Sequence, residues 1–167
     1  MFQAISDFLV SLPHELYLIL ISMFPFIELR GAIPVGIGFG LNPVEVFIIC
    51  VIANCIPIPF IIFLIKPLFR WLKRFSLFEK IITKLEHLAD SKSGKITAYK
   101  YEMVGLLLFV GIPLPGTGAW SGALIAALLN MRIKHAFTAI VLGVILAGVL
   151  VTLISAGALG ALSFFLG

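Results

Sequence analysis

Glu28 and Arg30 stand two residues apart and are the only charged residues between Leu16 and Val44. A charge at the bilayer centre costs about 2.5 to 3.5 kcal/mol on insertion scales, so a retained pair in such a run must be offset by its own members or by a ligand. Burial favours the neutral carboxyl and a nearby guanidinium favours the carboxylate, so Glu28 is placed to take up and release protons during transport. Arg30 is placed to attract an anion. On a continuous helix, positions two apart face different ways; an extended backbone between Pro25 and Pro34 would put both side chains on one face. The alternative role for the pair is to pin the turn that carries it, without chemistry.

A second constellation is GIPLPGTG, Gly111 to Gly118. Pro113 and Pro115 interrupt a helix, and Gly116 and Gly118 permit tight backbone geometry. Thr117 either caps the following helix or touches a ligand; Trp120 either walls a site or packs between helices. The string lacks the GK[ST] ending of a nucleotide P-loop, which argues against nucleotide hydrolysis. A helix starting near Ile33 and Pro34 and another starting near Thr117 would each present unpaired N–H groups and a partial positive charge. With Arg30 these two ends make an anion-seeking pocket. Ser121 and Asn54 either line that cavity or bond to neighbouring backbone. His14, His87 and His135 are far apart in the chain and give no metal site; Asp, His and Ser form no hydrolase motif, Cys50 and Cys55 read as small apolar fillers, and no cofactor is expected.

The elements that must position these residues follow from composition. The chain has 167 residues, 61% hydrophobic and 12% charged, with mean hydropathy +1.18 and net charge +4. Soluble domains run near 45 to 50% apolar and about 25% charged, so this is an integral membrane protein with no room for an attached soluble catalytic module. The basic excess is explained by orientation in the membrane, and nucleic acid is not an expected partner. No Lys or Arg precedes Arg30 and no small-residue cleavage site follows the first apolar run, so the N-terminus is expected to be retained, with Phe2, Ile5, Leu9 and Leu12 on one face of a short interfacial helix.

About 20 apolar helical residues cross a bilayer. Val46 to Ile65 meets that length, with a kink expected at Pro57 and Pro59. It runs into a segment, Lys66 to Lys100, holding nine of the 12 Lys and Arg residues, which the positive-inside rule places in the cytoplasm. Leu68, Leu72, Phe75, Phe78, Ile82 and Leu85 recur there at helical spacing, giving an amphipathic helix either on the inner membrane face or against the protein's own core. Met103 to Met131 leaves this basic segment and arrives at Arg132 and Lys134, so both its ends favour the same side. Two half-helices, about Met103 to Val110 and Thr117 to Asn130, joined at membrane depth, satisfy that. Leu16 to Asn42 is too short for two crossings and breaks at FPFIELRGAIP, giving a matching hairpin on the outer face. From Ala136 the chain returns outward, with its excess length taken up by tilt, an interfacial tail or a turn near Ser155 to Gly157. The expected fold is therefore an all-α integral membrane protein, one transmembrane domain over 1–167: a first repeat over 1–65, a cytoplasmic helix and loop over 66–102, and a second, inverted repeat over 103–167. Each repeat is a re-entrant hairpin plus a transmembrane helix, the plan of many secondary transporters.

PFIELRGAIPVGIGFGLNP, Pro25 to Pro43, and GIPLPGTGAWSGALIAALL, Gly111 to Leu129, closely resemble the putative small multidrug export protein family. That family is in turn similar to the DedA (VTT) superfamily, whose opposed re-entrant hairpins occur in polyprenyl-phosphate translocases and lipid scramblases. The resemblance implies a DedA-like fold with Glu28 at the acidic position of the first hairpin. This chain departs from DedA proteins in carrying its arginine, Arg30, in the first hairpin and none in the second.

The expected function is that of a transporter or flippase, not an enzyme, that moves an amphipathic anion such as a lipid (polyprenyl) phosphate. Glu28 would couple transport to protons, and Arg30, Glu28, Gly116, Thr117, Gly118 and Trp120 would meet the substrate; Pro25, Pro34, Pro113 and Pro115 would break the hairpins. Proton-coupled export of cationic drugs and a non-transporting membrane scaffold are the alternatives. The partners expected are the lipid bilayer, the substrate and protons. Small residues at Gly143, Ala147, Gly148, Gly157 and Gly160 allow close helix contacts, either internal or in a homodimer. The expected location is a prokaryotic plasma membrane.

Overall fold

A computed structural model describes residues 12–72, 96–129 and 131–166. Regular structure among them is entirely helical: α1 His14–Met23, α2 Glu28–Gly38, α3 Pro43–Cys55, α4 Pro57–Leu72, α5 Ile96–Gly111, α6 Ala119–Leu128 and α7 Ile133–Leu166. The interfacial helix expected at the N-terminus and most of the amphipathic helix expected in the basic segment lie outside the described residues.

Two stretches are long and apolar enough to cross a membrane, Pro43–Leu64 with 22 residues and Ile133–Ala158 with 26. At about 1.5 Å per residue each exceeds the roughly 30 Å hydrocarbon core. The first contains the break expected from its prolines. The ring of Pro57 disfavours continued helix at the residue before it, and the backbone tightens there, Ile56 N–H donating to the Ala53 carbonyl at 3.3 Å. Its start is set by Asn42, whose side-chain oxygen accepts from Val44 N–H at 2.9 Å, and by Pro43 in the first turn. The outward face is as apolar as the inward one: Val44, Ile48, Ile52 and Ile56 are exposed in one stripe while Val46, Cys50, Ala53 and Asn54 are buried in another. A helix in water shows polar residues on its outer face; this one is suited to lipid. The chain is a membrane protein.

Packing divides the chain into two compact units, residues 1–56 with 145–167, and residues 57–144. In the first, α1, α2 and α3 pack against one another. Helices α1 and α2 are antiparallel: the His14 ring at the start of α1 stacks on Phe39, just past the end of α2, with centroids 4.5 Å apart and planes 20° from parallel. One turn inward, a Cβ on Gly36 of α2 would stand 2.7 Å from a Val46 methyl on α3 and 2.8 Å from a Leu18 methyl on α1, so the glycine is what lets the three helices close at this level. Gly148 of α7 meets Phe47 and Val51 of α3 in the same way.

In the second unit, α6 packs on both α4 and α5. Val110 of α5 fills the space left by two glycines, Gly122 of α6 and Gly143 of α7. The small residues at 143 and 148 are therefore used inside the chain.

Four local expectations are corrected. Helix α2 begins at Glu28, so Glu28 and Arg30 are not on an extended backbone; Pro34 lies inside α2 and does not break the hairpin. Helix α6 starts at Ala119, two residues later than Thr117. Helix α7 runs without a turn through Ser155 to Gly157, which leaves tilt or an interfacial tail for its surplus length.

Candidate functional site

The chain between α1 and α2 reverses within Phe24 to Ile27, around Pro25. Glu28 closes the reversal, its N–H donating to the Phe24 carbonyl at 3.0 Å, and it is the one non-glycine residue with positive φ, +50°, among those described. Left-handed backbone costs a side-chain-bearing residue on the order of 1 to 3 kcal/mol and persists where the surroundings over-determine it. Here it turns the chain into α2 and sends the carboxylate inward: Glu28 is only 5% exposed. Arg30, half-buried on the first turn of the same helix, is close enough to feel the Glu28 charge. Charge attraction therefore joins the two residues although an extended strand does not. Pro34 has no N–H and so makes no helical bond to the carbonyl one turn before it.

In the second unit the break between α5 and α6 holds Pro113, Pro115, Gly116 and Thr117. Gly116 has φ +81°, a conformation that glycine adopts freely. The Thr117 hydroxyl lies 2.8 Å from the Ile112 carbonyl and 2.9 Å from the Leu114 carbonyl, so it ties the loop to itself. It does not cap α6: the cap is the buried Gly118, with no side chain to bond the first turn. The opening N–H groups of α6, from Ala119 onward, lack partners in their own helix, as at any helix start. Trp120 sits half-buried in that turn. Glu28 and Arg30 thus belong to the first unit, and Gly116, Thr117, Gly118 and Trp120 to the second.

Replacing Gly116 by alanine tests the loop directly. No atom lies within 4 Å of the added Cβ, so the expected loss of about 1 kcal/mol in reversible unfolding in detergent comes from the left-handed backbone alone. Gly105, equally open but inside α5, serves as the control: its alanine variant is neutral or more stable.

Buried polar groups show where the sequence reading was incomplete. Ser22 of α1 is fully buried beside the Cys50 thiol of α3, and Asn54 of α3 is 1% exposed. Asn54 was expected to line a cavity or to bond nearby backbone; neither its Oδ1 nor its Nδ2 has a hydrogen-bond partner among the described residues. Ser22 was missed. Its signal was a lone hydroxyl four residues after Leu18 in HELYLILISM, on the face that turns inward.

A family model described as "Putative small multi-drug export protein" matches residues 28–150. This is most of the chain, and the chain belongs to that family; the description is of an export protein. No curated protein and no solved structure gives a significant match.

Proposed function

We propose that this family member is a transporter or flippase for an amphipathic anion, a lipid (polyprenyl) phosphate being the fitting example, with Arg30 attracting the headgroup and Glu28 taking and releasing protons. The observation that carries the reading is the buried Glu28, held at a left-handed backbone position beside Arg30 at the start of a half-length helix. A protein that needed only a stable turn at this point has glycine available and no reason to bury a charge.

The two breaks are read as tips of re-entrant hairpins in a DedA-like inverted repeat. Helices α1 and α2, of 10 and 11 residues, measure about 15 to 17 Å, half of a roughly 30 Å hydrocarbon core. Their turn presents Phe26, 92% exposed, and the second break presents Leu114, 55% exposed. Loop tips in water are polar as a rule, whereas apolar tips suit the membrane interior, provided the freed backbone groups are lined by protein or a wet cavity. At the other end of the first hairpin, His14, Tyr17 and Phe39 gather as an interfacial cluster. Each tip ends on a helix start favourable to anions, and the reading assigns Gly116, Gly118 and Trp120 to the substrate together with Arg30. The segment 66–102 is assigned to the cytoplasm, the whole to a prokaryotic plasma membrane.

The family description favours a second reading, multidrug export, here with Glu28 as the proton-coupling group. Glu28 would then attract a cationic substrate directly. Reconstituted vesicles separate the two. Flipping of a labelled polyprenyl phosphate and uptake of a cationic dye are measured for wild type, Glu28→Gln and Arg30→Ala. The anion reading predicts lipid movement that needs Arg30; lipid movement no faster than in empty vesicles under every pH gradient sinks it, and Arg30-independent dye uptake lost in Glu28→Gln establishes the second.

A further inference from the structure

Packing in the first unit follows a regular register. Leu18 of α1 and Val46 of α3 flank the same point, Gly36 of α2. Four residues further along α1 and α3, Ser22 faces Cys50, the same offset between the two helices. Four residues on the face of a helix is one turn, about 6 Å. Continuing the ladder by one more turn brings α3 to Asn54 and the antiparallel α2, by way of Ala32, to Glu28. Helix α1 has ended by then, at Met23. The register thus carries α3 to Asn54 and α2 toward Glu28, where the chain turns into the helix; both are buried, and Ser22 lies one turn back on α1.

Three observations give this rung an occupant. The Asn54 carboxamide is buried with both its donor and its acceptor unpartnered among the described residues, and the Ser22 hydroxyl has only the weak thiol of Cys50 beside it. An unmet buried amide costs about 1 to 3 kcal/mol, and what meets it must accept at Nδ2 and bind at Oδ1 together. Secondly, α1 ends at Met23 and α3 at Cys55, each one residue past Ser22 and Asn54, so two helix C-termini bring partial negative charge beside these oxygens, against the single opposite contribution of the α2 start at Glu28. Thirdly, Pro57 and Pro59 lack the N–H groups that the Ala53 and Cys55 carbonyls would use one turn on; the Ala53 carbonyl accepts from Ile56 instead.

We propose that Asn54, Glu28 and Ser22 hold a partly hydrated monovalent cation, sodium or hydronium, as the coupling ion of the transporter read above. Carbonyl, carboxamide, hydroxyl and carboxylate oxygens are its ligands, and a water on the ion accepts from Asn54 Nδ2. Arg30 is the charged neighbour on α2; α1 and α3 bring ionisable groups only at their other ends, His14, Glu15, Tyr17 and Glu45, apart from the Cys50 and Cys55 thiols, and α7 brings none between Ile145 and Ala158. A carboxylate has lone pairs for two partners, so Glu28 serves Arg30 on one side and the ion on the other. The positive charge of Arg30 keeps the ion loosely held, as a coupling ion must be.

The test uses the full chain purified in detergent and heated in sodium chloride or in N-methylglucamine chloride at equal ionic strength. Saturating sodium is expected to raise the wild-type midpoint by about 3 °C or more. Asn54→Leu removes that shift while its ion-free midpoint equals or exceeds that of wild type, since an apolar group replaces an unmet polar one. Ser22→Ala, a smaller change, raises the half-maximal sodium concentration about threefold or more. If sodium is without effect but the wild-type midpoint rises from about pH 8 to about pH 5 and that of Asn54→Leu does not, hydronium is the occupant. Sodium and pH responses identical in wild type, Asn54→Leu and Ser22→Ala overturn the proposal. Vesicle flux judges the transport reading separately: flux that persists without any ion response leaves transport standing and removes the ion site, while an ion response without flux does the reverse.

Discussion

Arg30→Ala is expected to reduce anion movement in vesicles at least about tenfold, to the level of empty vesicles, and to destabilise the protein. The two effects have different origins and separate in a double variant. Removing one member of a buried ion pair costs about 3 to 5 kcal/mol because the other charge is left uncompensated. Arg30 is only half-buried whereas Glu28 is buried, so the lower end of that range applies, about 3 kcal/mol, read from unfolding in detergent. Glu28→Gln made in the Arg30→Ala background removes the stranded charge and keeps the volume, and should return most of the stability. On the proposed reading flux should not return, because the headgroup site would still lack its cation and the proton carrier would be gone as well. A pair that merely pins the turn predicts the opposite for flux: once the fold recovers, so does transport. Recovery of both quantities in the double variant therefore removes Glu28 and Arg30 from the mechanism, whatever either single variant shows.

The sequence announced its helices through length and proline, and misplaced them where backbone conformation departed from residue habit. The GIPLPGTG break was legible because Gly116 supplies the left-handed φ that the loop uses, and Pro113 and Pro115 sit where helix is absent. The first break was legible only in part. Pro34 resembles a first-turn residue, and nothing in the letter E at position 28 advertises φ +50°; the start of α2 was therefore read five or six residues late. Proline inside a short helix is tolerated because it removes a single main-chain donor near a break. The neighbourhood of Glu28 and Arg30 was legible from rarity of charge alone, since intramembrane charge is costly enough to demand a reason. Ser22 was not, because a hydroxyl among apolar residues is common in membrane helices and gains meaning only from what it faces. Which stripe of small residues packs internally was also hidden: Gly143 and Gly157 look alike in sequence, yet a Cβ at Gly143 meets Val110 and Leu107, whereas one at Gly157 meets nothing within 4 Å.

Gly143→Ala should be among the most damaging single-methyl changes in the chain, and Gly122→Ala the instructive comparison. At Gly143 the new Cβ would lie 2.7 Å from the Val110 Cβ and 2.8 Å from the Leu107 backbone oxygen. The first is the root of a side chain and the second is main chain, so neither can rotate away; α5 and α7 must separate. Overpacking a closed seam costs about 1 to 3 kcal/mol, and two rigid contacts place this variant at the upper end, with lost surface expression and a lowered unfolding midpoint as readouts. At Gly122 the close neighbour is the far end of one side chain, a Val110 methyl, while Ile140 and Leu106 stand at 3.5 and 3.7 Å. Trimming Val110 to alanine therefore opens the space that Gly122→Ala needs, and that double variant should be more stable than the sum of its singles by about 1 kcal/mol or more. The same trimming leaves Gly143→Ala pressed against the Leu107 carbonyl and restores little. Equal rescue of both glycine variants by Val110→Ala would show that the main-chain contact across α5 and α7 is not what closes this seam.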